Sequence, residues 1–375
     1  MFRKLILALG ATAMLAVAAI ASASAQALIE ENTLLEVTIG NRPIRLEAMI
    51  VRPAQAKGRL PIALITHGRN RTSQENAAKR ARDLLPQARD FAHRGWLAVS
   101  VIRRGFGLSD GPEAPRADCV SYNFRQYFER SADDLAAALE MLKQRPDADP
   151  TRALAIGVSA GGATALALAA RRPDGLVGVV NVSGGLRLAT KDGACAFEPG
   201  LVSTFAHFGA QSRVPTLWLY AENDSLFGPA LARQLHGAFT AAGGRADLVI
   251  ATPIADEGHR LWGHIDGRRQ WLPPLDRFLI ANALPTWNRA VLELKIRTAL
   301  RSDTRQPIIQ SYLAAPSEKV LAMSRSGRKV SWSAGGALET ARQKSLENCE
   351  QQAKEPCMVM LENFEVIAGT RTSSR

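Results

Sequence analysis

TRALAIGVSAGGATALALAARR, Thr151 to Arg172, predicts a short buried strand over Ala153 to Gly157, an abrupt turn framed by glycines, and an alanine-rich helix beginning near Gly161. At the turn, Gly157-Val158-Ser159-Ala160-Gly161 has the G-x-S-x-G pattern, in which a serine is held on a strained strand-to-helix turn with its hydroxyl exposed. A Cβ at either glycine would collide with the neighbouring strand or helix as the chain reverses. Gly162 leaves room for the helix to pack closely. Ser159 would then stand at a helix N-terminus, where the dipole and free amides favour developing negative charge.

Outward from this turn, strands and helices alternate. Leu34 to Ile39 and Ile44 to Val51 predict two antiparallel strands. Leu60 to Thr66 is an apolar run ending in His67-Gly68-Arg69-Asn70, the carboxyl end of a buried strand, where open α/β sheets carry function. Ala77 to Arg94 has the period of an amphipathic helix ended by Gly95. Leu97 to Ile102 is a strand followed by the loop Arg103 to Gly111. Ser131 to Gln144 reads as a helix with Ser131 as N-cap and Asp133 and Asp134 in its first turn. Val177 to Val182 is the next strand. The connection from Leu186 to Val214, with a short helix over Leu201 to Phe208, is a candidate cap over the site. Thr216 to Tyr220, Pro229 to Ala242, Asp247 to Ala251 and Trp271 to Ala283 complete the alternation, which predicts a mostly parallel sheet covered on both faces. Beyond Pro285 the pattern changes. A helix over Trp287 to Ala299, a hairpin over Val320 to Met323 and Lys329 to Trp332, a helix over Ala337 to Gln352 and a strand over Cys357 to Val366 predict a small α+β module.

Composition sets the compartment and excludes some partners. Met1-Phe2-Arg3-Lys4, an apolar run to Ile20 and Ala21-Ser22-Ala23-Ser24-Ala25-Gln26 have the parts of a secretory signal peptide cleaved after Ala25. Localisation is then periplasmic or secreted, with no stable membrane insertion once the signal is removed. The net charge of +12 falls to +10 without Arg3 and Lys4. The arginines are scattered, with no dense basic run interleaved with aromatics, so nucleic acid is not an expected partner. Cys119, Cys195, Cys349 and Cys357 all lie in the exported part, and an even count there predicts disulfides with three connectivities open. Cys349 and Cys357 flank a helix end and the following strand and are expected to pair, leaving Cys119 with Cys195. No C-x-x-C is present, and neither metal nor cofactor is expected.

A serine hydroxyl is a poor nucleophile until a base takes its proton, and a carboxylate must hold that base in one tautomer. Ser159, Asp224 and His259 occur in the order nucleophile, acid, base, each in a loop just after a predicted strand. Glu222 and Asp256 compete with Asp224, and His264 with His259. An oxyanion hole needs two amides. Ala160 N–H supplies one; the second comes from the loop after Thr66, from Arg69 or Gly68. His67 is expected to brace that loop. Arg69 and the basic loop Arg103 to Gly111 either face solvent or favour a substrate carrying a carboxylate.

LITHGRN (64 to 70), RRGFGLSDG (103 to 111), GVSAGG (157 to 162), LWLYAENDSLFGP (217 to 229) and DEGHRLW (256 to 262) together resemble the α/β-hydrolase superfamily, within it the dienelactone hydrolase and prolyl-oligopeptidase-like branch. The resemblance covers residues about 35 to 283. It implies an α/β-hydrolase fold, with the nucleophile at Ser159, the acid at Asp224 and the base at His259. Dienelactone hydrolases carry cysteine as nucleophile, so Ser159 moves the expectation to an ester, or less readily a peptide. Three regions are expected: a signal peptide over 1–25, a catalytic domain over 26–285 and a disulfide-stapled module over 286–375. The expected activity is cleavage of a small-molecule or oligomeric ester through an acyl-serine. The alternative is a non-catalytic protein on the same scaffold, binding an anionic envelope polymer through its basic surface or C-terminal module.

Overall fold

The computed structural model describes residues 27–115, 123–187, 197–301 and 305–367. The expected signal peptide, Cys119 and Cys195 lie outside the described residues. The main sheet has eight strands: β1 (Leu28–Ile39), β2 (Arg42–Pro53), β3 (Leu60–Thr66), β4 (Leu97–Val101), β5 (Ala148–Val158), β6 (Leu176–Val182), β7 (Pro215–Ala221) and β8 (Arg245–Ala251). Their spatial order is β1-β2-β4-β3-β5-β6-β7-β8. β2 is antiparallel to β1 and β4, and every pair from β4 to β8 is parallel.

The seven residues of β3 are all buried, which is why the strand reads as an unbroken apolar run. Its side chains alternate between two cores. Ile62 and Leu64 join the face covered by α3 (Phe124–Lys143), α4 (Ala160–Ala170), α5 (Glu198–Gln211) and α6 (Pro229–Ala241). Ala63 and Ile65 join the face covered by α2 (Leu85–His93) and α7 (Ile265–Ala281). This is the two-sided, mostly parallel sheet expected from the sequence.

Three of the expected helices around the sheet depart from expectation in ways that bear on the site. The segment expected as one helix from Ala77 to Arg94 is broken. α1 (Ser73–Ala77) opens on a Thr72–Glu75 capping box, a single 3₁₀ turn spans Ala81–Leu84, and α2 starts afresh at Leu85. Pro86 suits a first turn and has no N–H for a longer helix, while Glu47 of β2 accepts the Ala81 N–H at 2.8 Å. α3 begins at Phe124, so Ser131 is a buried interior residue and not an N-cap, and Asp134 accepts the Arg104 N–H at 2.8 Å. α5 is longer than predicted and belongs to the helical layer. Phe205 meets Trp218 edge-on at 5.4 Å and Phe208 meets Phe128 at 6.3 Å. It is not a cap over the site; residues 188–196 lie outside the described residues.

The C-terminal module comprises α8 (Arg289–Leu300), α9 (Gln306–Ala314), β9 (Lys319–Ser324), β10 (Val330–Ala334), α10 (Leu338–Ala353), β11 (Cys357–Glu362) and β12 (Glu365–Val366). Its strands form an antiparallel sheet in the order β10-β9-β11-β12. α9 has no counterpart in the sequence reading. Ile296, Ile309, Tyr312, Leu321 and Leu361 make a separate core, and the Cys349–Cys357 disulfide ties α10 to β11.

Charges bury the seam between the two parts. Arg268 of α7 reaches Asp90 of α2 at 2.7 Å and donates to Ala314 O at 2.7 Å. Arg94 reaches Asp276 at 2.8 Å, and its guanidinium lies 4.3 Å from the Trp287 ring centroid. Lys319 is fully buried, donating to Leu313 O and Ala315 O at 3.1 and 3.0 Å. Burial, with the nearby arginines, holds its ammonium well below the ordinary lysine pKa in spite of Asp90. Removing one member of a buried ion pair strands the other in a low-dielectric interior. Asp90→Ala, which leaves Arg268 unpaired and deprives Lys319 of its nearby negative charge, is therefore expected to destabilise the protein by about 3–5 kcal/mol in urea unfolding. A loss within about 0.5 kcal/mol, as for an ordinary surface position, would contradict the interface described.

Candidate active site

Three loops at the carboxyl ends of β5, β7 and β8, with a fourth after β3, bring the candidate residues to one edge of the sheet. Ser159 ends β5 at φ 56° and ψ −127°, a conformation a residue with a side chain holds only where the surroundings impose it. They do so here. Its N–H donates to Val182 O at 2.9 Å, and its carbonyl accepts from Gly162 and Gly185 at 2.9 and 3.2 Å. A Cβ on Gly157 would lie 2.1 Å from Gly161 O, and one on Gly161 would lie 2.4 Å from His67 O. Both glycines are therefore dictated by contact, as the sequence pattern implies.

Asp224, whose side chain is fully enclosed, stands in the loop after β7. Its Oδ1 accepts the Leu226 and Phe227 N–H groups, both at 2.9 Å, and its Oδ2 lies 3.0 Å from His259 Nδ1. A carboxylate can only accept, so His259 carries its proton on Nδ1 and leaves Nε2 for proton transfer. Burial raises the Asp224 carboxyl, but the bond and charge of His259 and the two amides outweigh it and hold it below the ordinary carboxylate value. The competitors lie elsewhere. Glu222 is exposed, Asp256 pairs with Arg260 at 3.2 Å, and His264 caps α7 by accepting the Asp266 N–H at 3.2 Å.

Glu257 has no role in the sequence reading, yet it joins the acid and base loops. Its carboxylate accepts the His259 N–H at 2.8 Å and the Ser225 N–H at 3.1 Å, and takes the Ser225 hydroxyl as well. Its place directly before Gly258-His259 is the signal that could have found it.

The oxyanion candidates adjoin Ser159. Ala160 opens α4, whose first amides have no partner within the helix. Gly68 sits against the serine from the other side: a Cβ there would lie 2.9 Å from Ser159 Cβ. His67 braces the loop, as expected. Its Nε2 accepts the Arg103 N–H at 3.0 Å, so Nδ1 is protonated and donates to Gly68 O at 2.7 Å. Burial, then the charge of Arg103, keep the ring well below its ordinary pKa and hence neutral. The arginines expected to attract a substrate carboxylate are engaged within the protein. Arg69 pairs with Glu113 at 2.7 Å, Arg104 pairs with Asp134, and Arg103 is buried against Thr66 and His67.

Comparison with known proteins places this geometry among hydrolases. The sequence model of the family described as X-Pro dipeptidyl-peptidase (S15 family) matches residues 40–237. A putative esterase, NocK, of Nocardia uniformis subsp. tsuyamanensis is 31% identical over 156 residues, 41% of this chain and 42% of that protein. The match thus spans less than half of that relative. Among solved structures, a putative dienelactone hydrolase from Klebsiella pneumoniae superposes with a TM-score of 0.47 at 18% identity, covering 68% of this chain and 99% of the other. Esterase 2 of Thermogutta terrifontis superposes with a TM-score of 0.49 at 17% identity, covering 69% and 96%.

The depressed pKa of Asp224 has a thermodynamic consequence with a definite sign. A carboxyl whose folded pKa lies below its unfolded value, about 3.9, contributes stability above that value and loses it as pH falls through the folded pKa. The stability advantage of the wild type over Asp224→Asn, about 2 kcal/mol at neutral pH for a charge-assisted bond, is expected to shrink on acidification below about pH 4. Urea unfolding at a series of pH values reads this directly. A difference independent of pH would show that the carboxylate form is not what the site holds.

Proposed function

The chain belongs to the X-Pro dipeptidyl-peptidase (S15) family of serine hydrolases on the α/β-hydrolase fold, and from that premise we propose that it cleaves carboxylic esters through an acyl-enzyme on Ser159. The observation that carries the reading is the enclosed Asp224 carboxylate 3.0 Å from His259 Nδ1, with Ser159 on its strained turn beside Gly68 and Ala160. Ser159 Oγ attacks the carbonyl carbon while His259 Nε2 takes its proton. The carbonyl π pair moves onto oxygen, where Ala160 N–H and an amide of the Gly68–Arg69 segment hold it. Asp224 steadies the imidazolium through Nδ1. Collapse breaks the bond to the alkoxy oxygen, which leaves as the alcohol with the proton from His259. Water then repeats the sequence and releases the acid.

An ester is favoured over a peptide by the electrostatics around the site. Removing a dipeptide from a chain's N-terminus requires recognition of its ammonium, for which an available carboxylate is the natural partner. Among the described residues, Asp224, Glu257 and Glu113 are already bound by His259, by Ser225 and by Arg69 and Tyr127, which leaves the exposed Glu222 as the carboxylate of these loops without such a partner. Export is part of the same proposal. Cleavage after Ala25 releases a chain starting at Gln26 into the periplasm or medium, where the Cys349–Cys357 bond is stable. N-terminal sequencing of the exported protein tests this, and an intact Met1 on it would contradict it.

Ser159→Ala is expected to lower kcat on a p-nitrophenyl ester by about 10⁴-fold or more, with the circular dichroism spectrum and unfolding midpoint retained. A folded variant that keeps its activity would overturn the assignment of the nucleophile.

A further inference from the structure

Arg103 has no part in the proton transfers just described, yet its guanidinium is only 1% exposed and lies directly behind the loop facing Ser159. Its Nη1 donates to Thr66 Oγ1 and to His67 O, each at 2.7 Å. The second of these bonds matters for chemistry. His67 C=O and Gly68 N–H are the two ends of one resonant peptide unit, so a cationic donor at the oxygen draws electron density from the nitrogen and makes the N–H a stronger donor. The next peptide unit is treated in the same way: its Gly68 oxygen accepts the His67 Nδ1–H at 2.7 Å, and its other end is Arg69 N–H. Whichever of the two amides faces the oxyanion, its carbonyl end is already held by a donor.

The charge itself is the second observation. Among the described residues no carboxylate lies within ion-pair distance of Arg103, and its buried Nε and Nη2 have no hydrogen-bond partner. Glu113 is bonded to Arg69 and Tyr127, and Asp134 to Arg104. Burial outweighs the favourable influence of Tyr127, Asp134 and Glu113 on the charge of Arg103, so the cation is a liability for stability. A strand-end plug would need no charge.

We infer that Arg103 is a positioning residue for ester turnover, fixing the Thr66–Arg69 loop and polarising its His67–Gly68 peptide toward the oxyanion. The inference rests on the serine-hydrolase reading and deepens it. A donor strengthened in this way acts most where charge has developed, so it favours the tetrahedral intermediate over the ground-state ester.

The test uses the full chain with p-nitrophenyl acetate, and expresses kcat per serine titrated to completion with a fluorophosphonate. Arg103→Met is expected to lower that kcat about 10-fold, or about 1.4 kcal/mol, with KM unchanged. Affinity for a trifluoromethyl ketone, whose serine adduct carries the oxyanion, is expected to fall by the same factor. Arg103→Lys, which keeps a charge and one donor, is expected to recover part of both. A folded Arg103→Met with unchanged kcat per titrated serine and unchanged ketone affinity overturns the inference, even if its melting temperature drops, because a structural role alone lowers only the titratable fraction. Should Arg103→Met not fold, Arg103→Lys carries the test: parallel losses in kcat and ketone affinity support the inference, and unchanged values overturn it. Absence of fluorophosphonate labelling in the wild type would instead count against the serine-hydrolase reading.

Discussion

The close approach of Gly161 to the His67 carbonyl is the contact on which the site depends. It lets the first turn of α4 lie against the end of β3, so that the serine turn and the loop carrying Gly68 share one small volume. A methyl group at Gly161 would have to displace backbone, not a flexible side chain. The strained Ser159 backbone follows from the same packing, since bonds from Val182, Gly162 and Gly185 leave it no relaxed alternative. The energy stored there is supplied by the burial of β3 and β6, the strands on either side of β5.

Around this contact the protein uses polar groups in two different ways. Asp224, His259 and Glu257 form a satisfied network in which each donor has an acceptor, and it joins the loops after β7 and β8. Arg103 is the opposite: a buried cation whose Nε and Nη2 have no hydrogen-bond partner among the described residues, behind the loop that carries Gly68. The seam with the C-terminal module is also built on buried charge. Arg268 and Arg94, paired with Asp90 and Asp276 between α2 and α7, reach across it to Ala314 O and to the Trp287 ring. That module is thus held through the same α2 and α7 that cover one face of the catalytic sheet.

Much of this was legible in the sequence because it is written in local pattern. The apolar runs of β3 to β7, punctuated by glycine and polar loops, show the strands and the edge where chemistry collects. The order Ser159, Asp224, His259 picks out residues that the fold brings to that edge. What escaped was set by partners distant in sequence. Ser131 resembles an N-cap, but Asp134 answers to Arg104, thirty residues earlier, and the helix starts at Phe124. Arg103 appears as one more surface cation until His67 and Thr66, some thirty-six residues away, are seen to enclose it. Glu257 acts by accepting backbone N–H groups, which leaves no compositional trace.

The central claim is that Ser159 is activated by an assembled His259–Asp224 pair. Peptide mapping of the folded protein after exposure to a fluorophosphonate tests it most directly. The account predicts a single adduct, on Ser159, forming far more slowly in Asp224→Asn. An adduct on another residue, or equal labelling rates in the two proteins, would contradict it.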